Sequence, residues 1–272
     1  MTKDTSQTLK KLQETELEIL DEISDLCTKH NITWWLDSGT ALGARRHHGF
    51  IPWDDDIDIG MLRKDYDLFC KLAPKELPPE YSFHNARLEN NFAPLFSKIW
   101  KEGTKFTTQE TLDANCSQGI FVDIFPYDYI NTSIKGKLAK KKMIYAQRLS
   151  YIYHSPNVKV PGKGFVGQIQ KLLCLAAHKI ISKIVSKKFI IAIFDNACKT
   201  CQPCSTVISS AYAYTPNIKI ESLIPPKFVS FEGKKYPCPN QLDQYLKLKY
   251  GNWEKLPEEK DRITHLPLSV KF

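Results

Sequence analysis

Residues 52–61 read PWDDDIDIGM, which places four aspartates within five positions beside two isoleucines. Residues 56–61 alternate in the manner of a half-buried strand. Because residues two apart in a strand share a face, Asp56 and Asp58 would point the same way, with Asp54 at the start of the strand and the isoleucines in the core. Crowded carboxylates repel one another unless a positive charge neutralises them. The pattern therefore predicts a site for a hard cation with oxygen ligands, Mg²⁺ with Mn²⁺ as the alternative.

Three other interpretations of the acidic run compete with this one. An exposed acidic turn would not need the interleaved isoleucines. A calcium-binding EF-hand loop would require glycine where the chain has Ile59, and helices on both sides. A glycosyltransferase Asp-x-Asp motif also places a metal on a nucleotide diphosphate at a strand end, and the aspartates alone do not separate it from the first interpretation.

A glycine-containing stretch, SGTALGARR at 38–46, precedes the acids. Glycines let backbone amides approach a phosphate, and the start of a following helix adds a favourable dipole. An arginine could pair with phosphate oxygens through two hydrogen bonds. We therefore expect a donor-phosphate site, to which a later strand contributes a lysine; its residues are Ser38, Gly39, Thr40, Gly43, Arg46 and Lys98.

Four stretches carry a resemblance to a known family: LDSGTALGARRHHGFIPWDDDIDIGM at 36–61, GIFVDIFP at 119–126, FEG at 231–233 and YLKLKYGNW at 245–253. Together they resemble the LicD family, which includes the fukutin-type phosphotransferases and belongs to the nucleotidyltransferase-fold superfamily. The resemblance covers the front half and the tail, and it is absent from roughly 130 to 200.

The resemblance implies an α/β (α+β) fold with a nucleotidyltransferase-like mixed sheet flanked by helices. It maps Gly39 and Thr40 to the phosphate-binding turn, Asp56 and Asp58 to a pair of catalytic acids, and Asp123 to a third. Asp123 interrupts an apolar strand, where an unpaired charge would be costly. Without the resemblance, it could equally cap a turn or pair with a lysine. The expected metal ligands are these three acids, Asp56, Asp58 and Asp123, together with Asp54 at the start of the strand, which could hold a second ion or orient a water.

Members of the family transfer a phospho-alcohol, often phosphocholine, from a cytidine diphosphate donor to a glycan hydroxyl. The resemblance thus implies CDP-choline or another CDP-alcohol as donor, and a glycan or lipid-linked glycan as acceptor. Neither composition nor spacing indicates cytidine or choline. Five aromatic residues could line a cage for a quaternary ammonium, or they could belong to the core: Trp34, Trp35, Trp53, Trp100 and Tyr127.

Two other functions stay open at this point. A nucleotidyltransferase in the strict sense would use the same acids to move a nucleoside monophosphate onto a small molecule, and it would release pyrophosphate instead. A non-catalytic module that binds glycan or lipid would have no need for the complete set of acids.

The charge distribution divides the chain. Residues 129–194 contain no acid but thirteen lysines and arginines. We predict a catalytic part, 1–130 and 205–272, interrupted by a helical basic insert, 131–204. The insert would be a solvated face, or it would dock on an anionic partner such as a membrane or a polyphosphate acceptor. Nucleic acid is not expected, because no binding motif accompanies the lysines.

Periodicity predicts helices at 7–30, 41–46, 63–73, 134–153, 165–194 and 240–250, and strands at 32–36, 56–61 and 120–125, with Pro74 and Pro126 as stops. We see no export signal and no apolar run of about 20 residues. The eight cysteines should then be reduced thiols in a cytoplasmic protein, with peripheral contact to the inner face of the membrane as an alternative. Zinc at Cys198, Cys201 and Cys204 is less favoured, because a complete ligand set is missing.

Overall fold

The computed structural model describes residues 3–158, 160, 162–262, 264 and 266–272. Helices flank a mixed sheet, which confirms the expected fold class. The described helices are α1 Lys3–Lys29, α2 Ser38–Arg46, α3 Arg63–Glu76, α4 Gln109–Asp113, α5 Ile134–His154, α6 Gly164–Ile184, α7 Lys187–Cys198 and α8 Leu242–Tyr250. The described strands are β1 Trp35–Leu36, β2 Ile57–Leu62, β3 Tyr81–His84, β4 Ser97–Lys101, β5 Lys105–Thr107, β6 Ile120–Tyr129, β7 Thr206–Ser209, β8 Ile218–Lys219, β9 Lys227–Phe231, β10 Lys234–Cys238 and β11 Ser269–Lys271.

Strand β6 organises the main sheet, whose order is β1-β2-β6-β4-β3. The C-terminal end of β6 also pairs with β7, and β7 pairs with β8. β6 runs parallel to β2 and antiparallel to β4 and β7. The register places Asp58 opposite Asp123, and Asp123 opposite Lys98. Two acids and a lysine thus lie in one row across three neighbouring strands.

The expected stop at Pro126 is wrong, because β6 continues to Tyr129. Proline has no N–H to give to a sheet, so inside sheets it is confined to places without a partner. Here the pairing with β4 ends at Ile124, and the pairing with β7 begins at Tyr127. Pro126 lies between these two pairings. On that edge of β6 no described partner strand requires a backbone N–H from residue 126.

Helix α2 begins at Ser38, three residues earlier than expected. Asp37 is its N-cap and accepts a hydrogen bond from the Ser38 N–H. Gly39 and Thr40 therefore belong to the first turn of the helix and not to a preceding turn. Helix α3 similarly runs through Pro74 to Glu76, because a proline so near the C-terminal end sacrifices only a hydrogen bond of the last turn.

The long helix expected over 165–194 is two helices. α6 ends at Ile184 and α7 begins at Lys187, with Ser186 as its N-cap accepting from the Phe189 N–H. The serine offers the backbone an alternative to continuing the helix. Among the described residues, no helix combines the length and the apolar character that crossing a bilayer requires. The boundary between catalytic part and insert stays a prediction.

The predicted amphipathic α1 is confirmed, since Leu12, Leu20 and Ile23 are fully buried. The helix contacts β4 and β6. Elsewhere, α2 closely approaches the loop before the aspartates at Gly43. A Cβ added there would lie 2.5 Å from the Gly49 carbonyl oxygen and 3.2 Å from the Ile51 nitrogen.

Gly43→Ala tests this packing by the sign of its effect. Helix propensity alone would make the change stabilising by about 1 kcal/mol. The contact with backbone atoms, which no rotamer can relieve, predicts a net loss of about 2 kcal/mol instead. Urea denaturation measures the difference, and a variant more stable than the parent would contradict the packing.

Candidate functional site

The acids expected from the sequence converge where β2 meets β6. Asp58 and Asp123 lie opposite each other on these adjacent strands, which run about 4.8 Å apart. Asp56 comes two residues before Asp58 and ends the loop that carries Asp54 and Asp55. Asp55 and Asp123 are each 6% exposed. Side-chain alternation before and along β2, together with the pairing of β2 with β6, thus brings Asp56, Asp58 and Asp123 to one place.

Helix α1 adds a further carboxylate that the sequence analysis missed. Glu16 is completely buried, and neither of its carboxylate oxygens has a hydrogen-bond partner among the described residues. Burial, then the nearby Asp56 and Asp55, raise its pKa well above the usual value. The available signal was the spacing Leu12–Glu16–Leu20, which puts an acid on the buried stripe of an amphipathic helix.

The acids also perturb one another. Burial, and next Asp55, raise the pKa of Asp54 to about 7. Burial, then Asp54 and Asp123, raise the pKa of Asp56 well above its ordinary range, and the pKa of Asp58 rises through burial and Asp56. In each case the cause is a negative charge removed from water and placed beside others.

Lysines neutralise only part of this charge. Lys98 Nζ lies 2.6 Å from Asp123 Oδ1, and its ammonium stands 3.3 Å from the centre of the Phe121 ring. Burial raises the pKa of Asp123, and Lys98 opposes that rise. Lys249 likewise lowers the pKa of Asp58, but its ammonium is paired with Asp37. Lys98, expected at a donor phosphate, is thus held by an acid of the cluster.

The carboxylate oxygens of the site are of the chemical kind that a divalent cation prefers. Hard cations take carboxylate oxygens, and the oxygens of Glu16 are buried without partners. Over the described residues, no three acidic, histidine or cysteine side chains form a ready coordination shell. The carboxylates would therefore have to draw together around an ion, a movement that their mutual repulsion opposes when no ion is bound.

The first turn of α2 lies against the same acids. The Asp58 N–H donates to Thr40 Oγ1 at 2.8 Å, which joins the helix start to β2. A Cβ on Gly39 would lie 2.8 Å from Asp54 Oδ2, so a side chain there would require the Asp54 carboxylate to shift. Gln13 of α1 donates to the Asp54 carbonyl at 2.8 Å. Ser38, Gly39 and Thr40 thus lie in a helix turn beside the acids, and their contact with a phosphate stays a prediction.

Two other residues of the predicted phosphate set lie elsewhere. Gly43 faces the Gly49–Ile51 loop, and this packing accounts for its lack of a side chain. Arg46 is at the opposite end of α2, where Nη1 donates to the Trp253 carbonyl at 2.8 Å. Nine residues of helix span about 13 Å, so the structure does not bring Arg46 to the first turn. A phosphate contact for either stays a prediction.

Asp37 ties the site to the C-terminal helix, and sequence reasoning missed it. Its fully buried carboxylate accepts hydrogen bonds from the hydroxyls of Tyr127 and Tyr245 and from Lys249. Burial alone would raise the pKa of Asp37, but Lys249 and the two hydroxyls hold it below its ordinary value. Lys249 Nζ also donates to the Ser38 hydroxyl at 2.7 Å. The four-residue spacing of Tyr245 and Lys249 was the signal.

The aromatic residues considered for an ammonium cage do not form one group. Trp35 packs edge-on against Tyr127, while Trp34 contacts Tyr236 and Trp100 stacks on His84. Most of them are core residues. Cys198, Cys201 and Cys204 carry no disulfide.

Comparison with known proteins shows a family to which this sequence is similar. Residues 31–163 match the family model described as LicD/FKTN/FKRP, nucleotidyltransferase domain. The chain carries a LicD-family domain. The matched range includes every acid of the site except Glu16.

Relatives of the chain are named as transferases. The chain is 29% identical over 265 residues to the lipopolysaccharide cholinephosphotransferase LicD of Haemophilus influenzae, covering 95% of this chain and 96% of that one. It is 47% identical over 143 residues to human ribitol 5-phosphate transferase FKRP, half of this chain and 25% of that protein. A match to human ribitol-5-phosphate transferase FKTN is 32% identical over 68 residues, 24% of this chain and 15% of that protein.

Replacing Lys249 by methionine tests the Asp37 network. The change leaves a buried carboxylate without its cation and should cost about 3 kcal/mol of unfolding free energy. Lys247→Met, on the exposed side of the same helix, is the matched control and should change stability by less than about 0.5 kcal/mol. Equal losses in the two variants would refute the assignment.

The raised pKa of Asp54 predicts a pH dependence. Its folded-state pKa of about 7 exceeds the unfolded value near 4, so the folded protein holds more protons in this window. Stability must then fall as pH rises from 4 to 7. With a chelator present, the unfolding free energy of the parent should fall between pH 5 and pH 8. In Asp54→Asn this fall should be smaller by at least about 1 kcal/mol. Asp25→Asn controls for the loss of one exposed charge, and an unchanged slope in Asp54→Asn would contradict the prediction.

Proposed function

We propose that this protein transfers a phospho-alcohol of the phosphocholine type from a CDP-activated donor to a hydroxyl of a cell-surface glycan or its lipid-linked precursor. The observation that carries the proposal is the pairing of Asp58 with Asp123 on neighbouring parallel strands, beside the first turn of α2. The names of the relatives support a phosphotransferase; the CDP donor, the type of alcohol and the acceptor are our inference. A cytoplasmic location also stays a prediction.

We infer a requirement for Mg²⁺, with Mn²⁺ as a substitute, held by Asp54, Asp56, Asp58 and Asp123. Such an ion would offset negative charge on the donor diphosphate and on the departing cytidine monophosphate. The raised pKa of Glu16 favours its protonated form, so Glu16 would add a buried negative charge from α1 once the ion displaced its proton. The fit rests on the surplus of carboxylates over lysines described above.

The protein's own groups would position the donor. First-turn amides of α2 offer hydrogen-bond donors to a phosphate, and the helix dipole favours its charge. Gly39 leaves room for the close approach. Lys98 would exchange its hold on Asp123 for contact with a donor phosphate once other positive charge reaches the acids. Arg46 could contribute only if the C-terminal end of α2 approached the donor.

Asp123 is our candidate for the base that accepts the proton of the acceptor hydroxyl. Burial raises the pKa of Asp123 above its ordinary value, and a carboxylate with a higher pKa is a stronger base. Its neighbour Lys98 limits that rise and holds the carboxylate in place.

A cavity beside Lys98 offers room for the transferred alcohol. Its volume is about 140 Å³, and Phe106, Phe121, Tyr151 and Glu110 are among its lining residues. Aromatic faces and a carboxylate suit a small cationic head group. This lining differs from the tryptophan cage considered from the sequence.

Donor hydrolysis tests the proposal. Purified protein with Mg²⁺ is given CDP-choline, other CDP-alcohols, nucleoside triphosphates and UDP-sugars, and the released products are identified. We expect CMP from a CDP-alcohol, and Asp58→Asn should lower turnover at least about 100-fold while circular dichroism shows it folded. Asp25→Asn is the control for an exposed aspartate.

Other products would indicate other functions. Pyrophosphate from a triphosphate would favour a strict nucleotidyltransferase, and release of UDP would favour a glycosyltransferase. Normal turnover in Asp58→Asn would contradict the role of the acids. If the parent and Asp58→Asn both bind a glycan or lipid and neither turns over any donor, a non-catalytic module is favoured.

A further inference from the structure

Helix α6 exposes a continuous apolar stripe. Of its 21 residues, all described, only Gly167 is fully buried. Large apolar side chains recur at three- and four-residue spacing along its outer side, which is one face of a helix. Their exposed fractions reach 76% at Phe165, 65% at Leu172, 64% at Leu173 and 75% at Ile184, with Ile169 and Ile180 between them.

The opposite side of α6 is already used. Gln170, Cys174 and His178 are half-buried, and His178 Nδ1 makes a 2.8 Å hydrogen bond with the Ile152 carbonyl of α5. The helix therefore packs on α5 through its inner side and leaves the apolar stripe outward. Single exposed leucines are ordinary, but a contiguous stripe marks an interaction surface.

Charge identifies the kind of partner. Residues 129–194 contain no acid, and exposed Lys171, Lys179 and Lys183 accompany the stripe on α6 itself. A second copy of the chain would bring the same thirteen basic residues against these, and like charges repel. Aliphatic side chains flanked by lysines match a bilayer surface, where the former enter the acyl boundary and the latter meet anionic headgroups.

We propose that α6 is a docking helix, which lies in the surface of an anionic membrane with the stripe from Phe165 to Ile184 inserted. This surface does not include the carboxylate cluster. The proposal therefore stands or falls separately from the transfer reaction.

Co-sedimentation with vesicles tests the docking helix. The full chain is mixed with vesicles of phosphatidylcholine alone, or of phosphatidylcholine with phosphatidylglycerol. We expect at least ten-fold tighter binding to the anionic vesicles, weakening as salt is raised. Failure to bind them would overturn the proposal, and binding that ignores salt and lipid charge would remove its electrostatic basis.

Matched variants locate the contact. Leu172→Gln with Leu173→Gln should weaken anionic-vesicle binding at least ten-fold. Leu88→Gln with Leu268→Gln alters two leucines that are 63% and 64% exposed elsewhere, and it should leave binding unchanged. Circular dichroism confirms that each variant is folded. Equal losses of vesicle binding in the two double variants would overturn the assignment to α6. A parent protein that dimerises through α6, so that the α6 double variant is monomeric, and that does not bind vesicles would overturn it as well.

Discussion

Repulsion among buried carboxylates is the constraint around which this fold is arranged. The pairing of β2 with β6 fixes Asp58 opposite Asp123, and the loop before β2 and helix α1 bring further acids to the same place. A protein would not retain such a surplus for stability, because each buried charge costs free energy. The arrangement makes sense when a cation and a phosphate-bearing substrate complete it.

The surrounding structure limits the cost without removing it. Lys98 occupies the next strand in the same row and pairs with Asp123. On the other side, Lys249 of α8 forms an ion pair with Asp37 and donates a hydrogen bond to Ser38, the first residue of α2. The C-terminal helix thus holds the first turn of α2 in place, although some 200 residues of chain separate them. Packing at Gly43 fixes the other end of α2 against the loop that leads to the acids.

Sequence reasoning found the parts of the site that local patterns encode. Strand alternation was enough to place Asp56 and Asp58 on one face. Asp123 came from the family resemblance, because its interruption of an apolar strand alone left a turn cap or a lysine pair equally open. Glu16 and Asp37 escaped because their significance depends on contacts with distant elements, which no local period reveals. Pro126 misled for the same reason, since its tolerance depends on which strand lies beside it.

Calorimetry of Mg²⁺ binding tests the central claim most directly. If the carboxyls of the cluster hold protons because no cation is bound, the binding of Mg²⁺ must displace some of these protons. Titrations at pH 7 in two buffers of different ionisation enthalpy should then show release of at least about half a proton per ion, and less in Asp58→Asn. Binding without proton release, or no binding at all, would contradict the account of the acids as a cation site.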